Sequence, residues 1–177
     1  MTSREATVAD PSSSRRPRSR AARHAGRAAG RQLAFEAVFE AEFGQRTART
    51  VLTRILAQHS AGADAGQLAQ GIVEGVVTDR QGIDDRIAAL APAHPVQGLA
   101  RVDRALLRCA LSEVLHCPAT PQRVAIAEWV ELARTYSGEP ARRLVNGVLG
   151  RLATTVPPGP PEGSDQTGAH RPPGGST

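Results

Sequence analysis

From Ala34 to Leu152 the apolar residues return every three or four positions, and no run alternates with period two for long enough to suggest a strand. That rhythm restricts the chain to helices packed on helices. Ala34, Ala37, Val38 and Ala41, with Phe35 and Phe39 alongside, form the stripe of a first helix over about 21–43, with Gly44 as its C′ residue. Val51, Leu52, Ile55 and Leu56 give a second over about 47–59, and Asp64 is the candidate N-cap of a third over about 65–90. Along that third helix Leu68, Ile72, Val76, Ile83, Ile87 and Leu90 step by four, four, seven, four and three. Gly71, Gly75 and Gly82 each cost about 1 kcal/mol there relative to Ala, so either another helix packs very close or the helix is interrupted.

The second half reads the same way. Val102, Leu106, Cys109 and Ala110, with Leu107, Leu111, Val114 and Leu115 beside them, predict a central, mostly buried helix over about 98–116, stopped by Pro118. Thr120-Pro121 reads as N-cap and N1 proline of a helix to about Thr135, and Glu139-Pro140 opens a last one buried through Leu144, Val145, Val148, Leu149 and Leu152. Short loops imply antiparallel neighbours. The expectation is all-α: about six to seven helices in two small bundles, 21–95 and 96–154. Aromatic content of only 3% agrees, since sheets favour aromatic and β-branched residues. The ends read as disordered: a basic arm over 1–20 and, after Ala153, a tail over 155–177 broken by Pro157, Pro158, Pro160 and Pro161.

Charge is unevenly placed. Residues 1–31 hold eight Arg against Glu5 and Asp10, for +6, whereas the remainder holds fourteen Arg against fifteen acids, for −1. Every cation is Arg, which offers bidentate phosphate contacts that Lys does not. Arg15, Arg16, Arg18, Arg20, Arg23, Arg27 and Arg31 have no acid between them, and Arg20, Arg23, Arg27 and Arg31 step by three, four and four along one helical face. Such an arm neutralises phosphates and releases their counterions. RNA binding is the stronger reading, against a solvated tail with only nonspecific polyanion affinity. Arg101, Arg104 and Arg108 also share a face and read as intra-bundle ion pairs, with Asp103 and Glu113 near enough to join them.

Catalytic and metal patterns are missing from the sequence. Cys109, Glu113, His116 and Cys117 stand at i, i+4, i+7 and i+8, but zinc sites draw spaced ligand pairs from two elements, so Cys109 reads as a core residue. A phosphate-binding Walker loop needs a Lys that the chain lacks, and neither GxSxG nor HExxH occurs. No cofactor is expected. Two cysteines without CxxC spacing fit a reducing cytoplasm, no apolar run reaches the length of a membrane span, and residues 1–31 have no apolar signal core.

Three segments resemble the NusB family of bacterial antitermination factors. They are Leu107-Arg108-Cys109-Ala110-Leu111-Ser112-Glu113, Val124-Ala125-Ile126-Ala127-Glu128-Trp129-Val130-Glu131-Leu132-Ala133 and, most specific, Leu144-Val145-Asn146-Gly147-Val148-Leu149. Arg31-Gln32-Leu33-Ala34-Phe35-Glu36-Ala37-Val38-Phe39 resembles the family's basic first helix, so the likeness spans about 27–153. It implies two helical subdomains and a role in binding boxA RNA of ribosomal RNA leader transcripts with the ribosomal protein NusE. The complex would load onto RNA polymerase with NusA and NusG.

By the same resemblance Arg27, Arg31, Arg142, Arg143 and Asn146 fall at RNA-binding positions, Tyr136 at an aromatic that could stack on a base, and Asp103 on the partner's side. Arg108, Glu113 and Glu128 match the family as structural ion pairs. Pro140-Ala141 stands where the family has Asp-Ser, Ala127 replaces an Asn and Gly150 an Asp, which puts affinity and base preference in question. Two other readings compete. One is a module with nonspecific RNA affinity, or a homodimer that hides the RNA face. The other is the helical domain that precedes some ribosomal RNA cytosine methyltransferases, which needs a cofactor-binding α/β domain downstream.

Overall fold

The computed structural model describes residues 19–155, and within them it contains seven α-helices, one short 3-10 turn and no strand. The expected disordered arm and tail fall outside the described residues, apart from Ser19, Arg20 and Thr155, and so do Arg15, Arg16 and Arg18. The helices are α1 (Arg20–Ala41), α2 (Ala48–Gln58), α3 (Ala63–Thr78), α4 (Arg80–Leu90), α5 (Arg101–His116), α6 (Gln122–Ser137) and α7 (Glu139–Thr155).

Local chemistry sets several of the ends. Ser19 Oγ accepts from the Ala22 amide at 3.2 Å and starts α1, and Thr47 Oγ1 does the same for Thr50 at the start of α2. Glu42 is the C-cap of α1, so Gly44, in the left-handed region at φ 78°, sits one residue later than the expected C′ position. Gly62, not Asp64, is the N-cap of α3; Asp64 lies in the first turn, where its charge favours the helix dipole. Gly138, at φ 87°, lets α6 turn into α7 without a linker.

The single helix expected over 65–90 is two. The chain leaves helical geometry at Asp79 (φ −119°, ψ 30°), in the middle of the seven-residue step from Val76 to Ile83. Asp79 Oδ2 lies 3.1 Å from His116 Nε2 and 3.7 Å from Arg86, which ties the break to the end of α5. Both explanations for the glycines therefore apply. α3 is interrupted before Gly82, and at Gly75 the helix presses against α5, where an added Cβ would collide with Ser112 Oγ. Ser112 makes use of the closeness by donating to the Ile72 carbonyl at 2.7 Å. Gly30 serves the α1–α3 crossing in the same way: a Cβ there would stand 2.6 Å from the Ala65 carbonyl oxygen.

α5 is the centre of the molecule. Ala105 to Glu113 is buried without a break, and α5 packs against α1, α3, α4, α6 and α7. α1 lies along α2 and α3, and α6 pairs with α7, while α4 bridges to α5 and α7. Trp129 is fully buried, as are Ile55, Ile72, Ile83, Ile87, Leu106, Leu107, Leu111 and Leu149. Each such side chain contributes roughly 1.5–3 kcal/mol of transfer free energy.

Two ion-pair clusters fasten the helices together. In one, Arg108 holds Asp84 through two bonds of 2.8 and 2.7 Å and also pairs with Glu42, which binds Arg104 at 2.6 Å. The expected intra-bundle role of Arg104 and Arg108 therefore holds, but their acids are Glu42 and Asp84 rather than Asp103 and Glu113. Burial opposes the Arg108 charge, yet the Asp84 hydrogen bonds and the two carboxylates more than offset it and raise its pKa.

Candidate RNA interface

Four arginines of α1 share a face, and the packing sorts them. Arg20 and Arg23, on the first two turns, are exposed, and neither pairs with a carboxylate among the described residues. Arg27, one turn further in, is half-buried and donates through Nη2 to Thr120 Oγ1. Arg31, a turn beyond, is wholly enclosed at 0% exposure.

The environment of Arg31 corrects its assignment to RNA. Its Nε and Nη2 donate to the two carboxylate oxygens of Glu113 at 2.9 and 2.8 Å, and Trp129 Nε1 donates to the same carboxylate at 2.7 Å. Arg31 Nη1 faces Glu128 at 3.6 Å. Gly30 brings α1 against α3 at this level, and the next residue on the stripe is then covered by α5 and α6. A guanidinium bound in this way has no face left for a phosphate. Arg31 joins Glu113 and Glu128 as the second ion-pair cluster of the core.

Thr120 is corrected with it. It does not cap α6, whose N-cap is Pro121 with no side-chain bond; its buried hydroxyl instead accepts from Arg27 and ties α1 to the α5–α6 turn. Sequence reasoning also passed over His24, 3.7 Å from Glu128 on the exposed side of α1, and Gln67 on α3. Arg23, Arg27, Gln67, Leu68, Cys117 and Thr120 all line one open cavity of about 390 Å³. Its arginines were visible in the sequence, but nothing local pairs residue 27 with residue 120.

The C-terminal candidates form other groups. Tyr136, at the end of α6, is 46% exposed and rests on Phe35 of α1 with ring centroids 4.6 Å apart. That contact begins an aromatic row, continued by Phe39 at 5.7 Å and Phe43 at 5.4 Å, with the Arg101 guanidinium 4.9 Å over Phe43. Arg142 is engaged by Glu139 at 2.9 Å, whereas Arg143 and Asn146 are exposed on α7. Arg143 lines a separate cleft of about 340 Å³ with His94, Gly147 and Arg151. α7 packs on α4, α5 and α6, so this cleft is not contiguous with the arginines of α1. Asp103, in the first turn of α5, is partly buried, and its Oδ1 is enclosed without a hydrogen-bond partner among the described residues.

The residues once weighed as metal ligands are engaged elsewhere. Glu113 is held by Arg31 and Trp129, and His116 faces Asp79. Cys109 is completely buried, which drives its thiol pKa upward, and burial followed by the Glu113 charge pushes Cys117 up to about 11.

The family model described as the NusB family matches residues 28–154. A transcription antitermination protein NusB from Dehalococcoides mccartyi (strain CBDB1) is 38% identical over 81 residues, which is 46% of this chain and 57% of that protein. The chain spans about half the length of the curated relatives it matches. Among solved structures, NusB of T. maritima is similar with a TM-score of 0.67 and 31% identity, over 72% of this chain and 90% of that one. A structure of antitermination factors NusB and NusE in complex with dsRNA also gives 0.67, at 21% identity, over 75% of this chain and 98% of that one; at that identity the likeness is one of fold.

Proposed function

The chain belongs to the NusB family, and from that premise we propose that it is a transcription antitermination factor that binds boxA RNA of ribosomal RNA leader transcripts together with NusE. The observation that carries this reading is the outer part of the α1 stripe. Arg20 and Arg23 are exposed and form no ion pair among the described residues, and Arg27 is anchored beside them on the α5–α6 turn. Such an array fixes phosphates in register, as single-stranded RNA recognition requires. Tyr136 supplies an exposed ring for stacking, and Arg142, Arg143 and Asn146 on α7 are a second, separate group of RNA contacts. Arg31, enclosed and held by Glu113, takes no part.

Asp103, partly exposed in the first turn of α5, is the anchor for NusE, where its negative charge suits a basic ribosomal protein. NusA, NusG and RNA polymerase complete the assembly. The protein acts in the cytoplasm as a binding module without catalysis of its own. Its helical body, 21–154, is taken as two subdomains meeting along α5. Support for the partners comes from the family and from the NusB–NusE–dsRNA structure with the same fold.

The test is binding of fluorescent boxA RNA and a scrambled control across a salt series, with and without NusE. Preference for boxA, strengthened by NusE, is the expected result. Equal binding of both RNAs, indifferent to NusE, reduces the protein to a basic helix on a helical scaffold, and a light-scattering mass of a dimer with no RNA bound favours the interface that hides the RNA face.

A further inference from the structure

The cavity at the inner end of the arginine stripe has a composition that phosphate binding alone does not require. It lies between the first half of α1, α3 and the α5–α6 turn, and its volume of about 390 Å³ is within the range of small-ligand sites. Leu68, Gly71, Cys117 and Pro118 give it an apolar floor. Gly71 keeps that floor open, since a Cβ there would press on Cys117 Sγ at 3.2 Å. Arg23, Arg27, Gln67 and Asp64 line it as well, so two guanidinium groups, an amide and one carboxylate accompany the apolar surface, with one positive charge in excess. Arg27 is bonded to Thr120 through one nitrogen, and its other donors remain.

An apolar surface, an amide able both to donate and to accept, and two guanidinium groups, of which Arg27 is anchored, that outweigh the single carboxylate match the parts of one nucleotide. A base has flat apolar faces and a polar edge, and its phosphate is anionic. We propose that this cavity receives one unstacked nucleotide of the bound RNA, the base lying on Leu68, Gly71 and Pro118 and its phosphate on Arg23 and Arg27. A free mononucleotide shares that chemistry. The RNA strand is favoured because Arg20 continues the stripe one turn beyond Arg23, on the first turn of α1, where a neighbouring phosphate has a counter-charge and a mononucleotide has nothing to place. The inference rests on the RNA-binding reading and adds a base-sized subsite to it.

Cys117 reports occupancy directly, because it lines the cavity while Cys109 is 0% exposed and serves as the control for unfolding. The full chain is labelled with a neutral aromatic disulfide while boxA RNA is titrated, and RNA binding is followed in parallel by fluorescence. The expected result is that Cys117 labelling falls with the same midpoint as RNA binding and that Cys109 stays unlabelled. A second variant, Ala119→Trp, fills the cavity from an exposed loop position. It should weaken RNA about tenfold, the worth of one stacked base, and leave the thermal midpoint unchanged. RNA that binds fully without slowing the labelling, or that binds Ala119→Trp as tightly as the natural chain, overturns the subsite and leaves the antitermination reading standing. Protection by AMP or GMP but not by RNA also overturns it. Failure to bind RNA at all removes both readings together.

Discussion

Replacing Arg31 by Met separates the two roles that the arginine stripe combines. The Met side chain fills much the same space, so the loss is electrostatic. Glu113, at 0% exposure, keeps only the Trp129 N–H at 2.7 Å after losing two charge-assisted bonds of 2.8 and 2.9 Å. Breaking a buried pair from one side costs about 3–5 kcal/mol, because the remaining charge is left without compensation. At roughly 2.1 cal/mol/K of unfolding entropy per residue, a helical body of this size loses about 10–17 °C of thermal midpoint for that cost. Pairing the change with Glu113→Gln removes the orphaned charge while keeping an acceptor for Trp129, and should restore at least about half of the lost stability. Urea unfolding and calorimetry of natural, single and double variants give the comparison. A midpoint for Arg31→Met within 3 °C or so of the natural chain, less than about 1 kcal/mol, would refute the account of the core. So would a double variant no more stable than the single one. Below its midpoint Arg31→Met should bind RNA as the natural chain does.

Arg23→Met should do the reverse, changing stability by less than about 0.5 kcal/mol while lowering the salt slope of RNA binding by about one in a fluorescence titration. Gly30→Ala should lose about 1–3 kcal/mol in urea unfolding, since the new methyl meets the Ala65 backbone, which cannot rotate away. Gly150→Ala, on α7 with nothing within 4 Å of the added carbon, should instead gain about 0.5–1 kcal/mol. Cys117, whose thiol is held neutral up to about pH 11, should react with thiol reagents at a rate that keeps rising through that pH instead of levelling off near 9. By the same sign, its neutral form favours folding below the ordinary thiol pKa, and that contribution is lost as pH rises from 9 toward 11.

The helices were legible because each buries a stripe whose period shows in its own residues. What stayed hidden depends on residues far apart in the chain. Val76 and Ile83 are seven apart, a spacing that also fits an unbroken helix, so the break at Asp79 depends on His116 at the end of another helix. Thr120 before a proline looks like a cap, and only its closeness to Arg27, 93 residues earlier, assigns its hydroxyl elsewhere. Arg31 continues the stripe of Arg20, Arg23 and Arg27 without any local mark of difference. The residues that bury it are Glu113 and Trp129, and a lone acid in an apolar helix can equally face solvent. Of the RNA candidates, the exposed arginines and Tyr136 sit on the surface as read, whereas the division between the α1 group and the α7 group depends on packing that no spacing encodes.

That sorting explains how a body of net charge near zero can still attract a polyanion. After residue 31 the acids outnumber the arginines by one, but the acids nearest the core are already engaged. Glu113 and Glu128 face Arg31, while Glu42 and Asp84 hold Arg104 and Arg108. The Glu42–Asp84 cluster is neutral and the Arg31 cluster carries one net negative charge, and at physiological salt a field beyond about 8 Å is largely screened. Arginines without an ion pair among the described residues include Arg20, Arg23 and Arg27, which stand together at the start of α1 with one acid, Asp64, beside them, and the scattered Arg46, Arg123 and Arg143. Binding strength should therefore follow the local excess at the start of α1 and not the net charge of the chain. Adding an acid at Ala22, on the exposed first turn between the two arginines, should weaken RNA more than adding one at Ala88 on the far helix α4, although both change the net charge by the same amount.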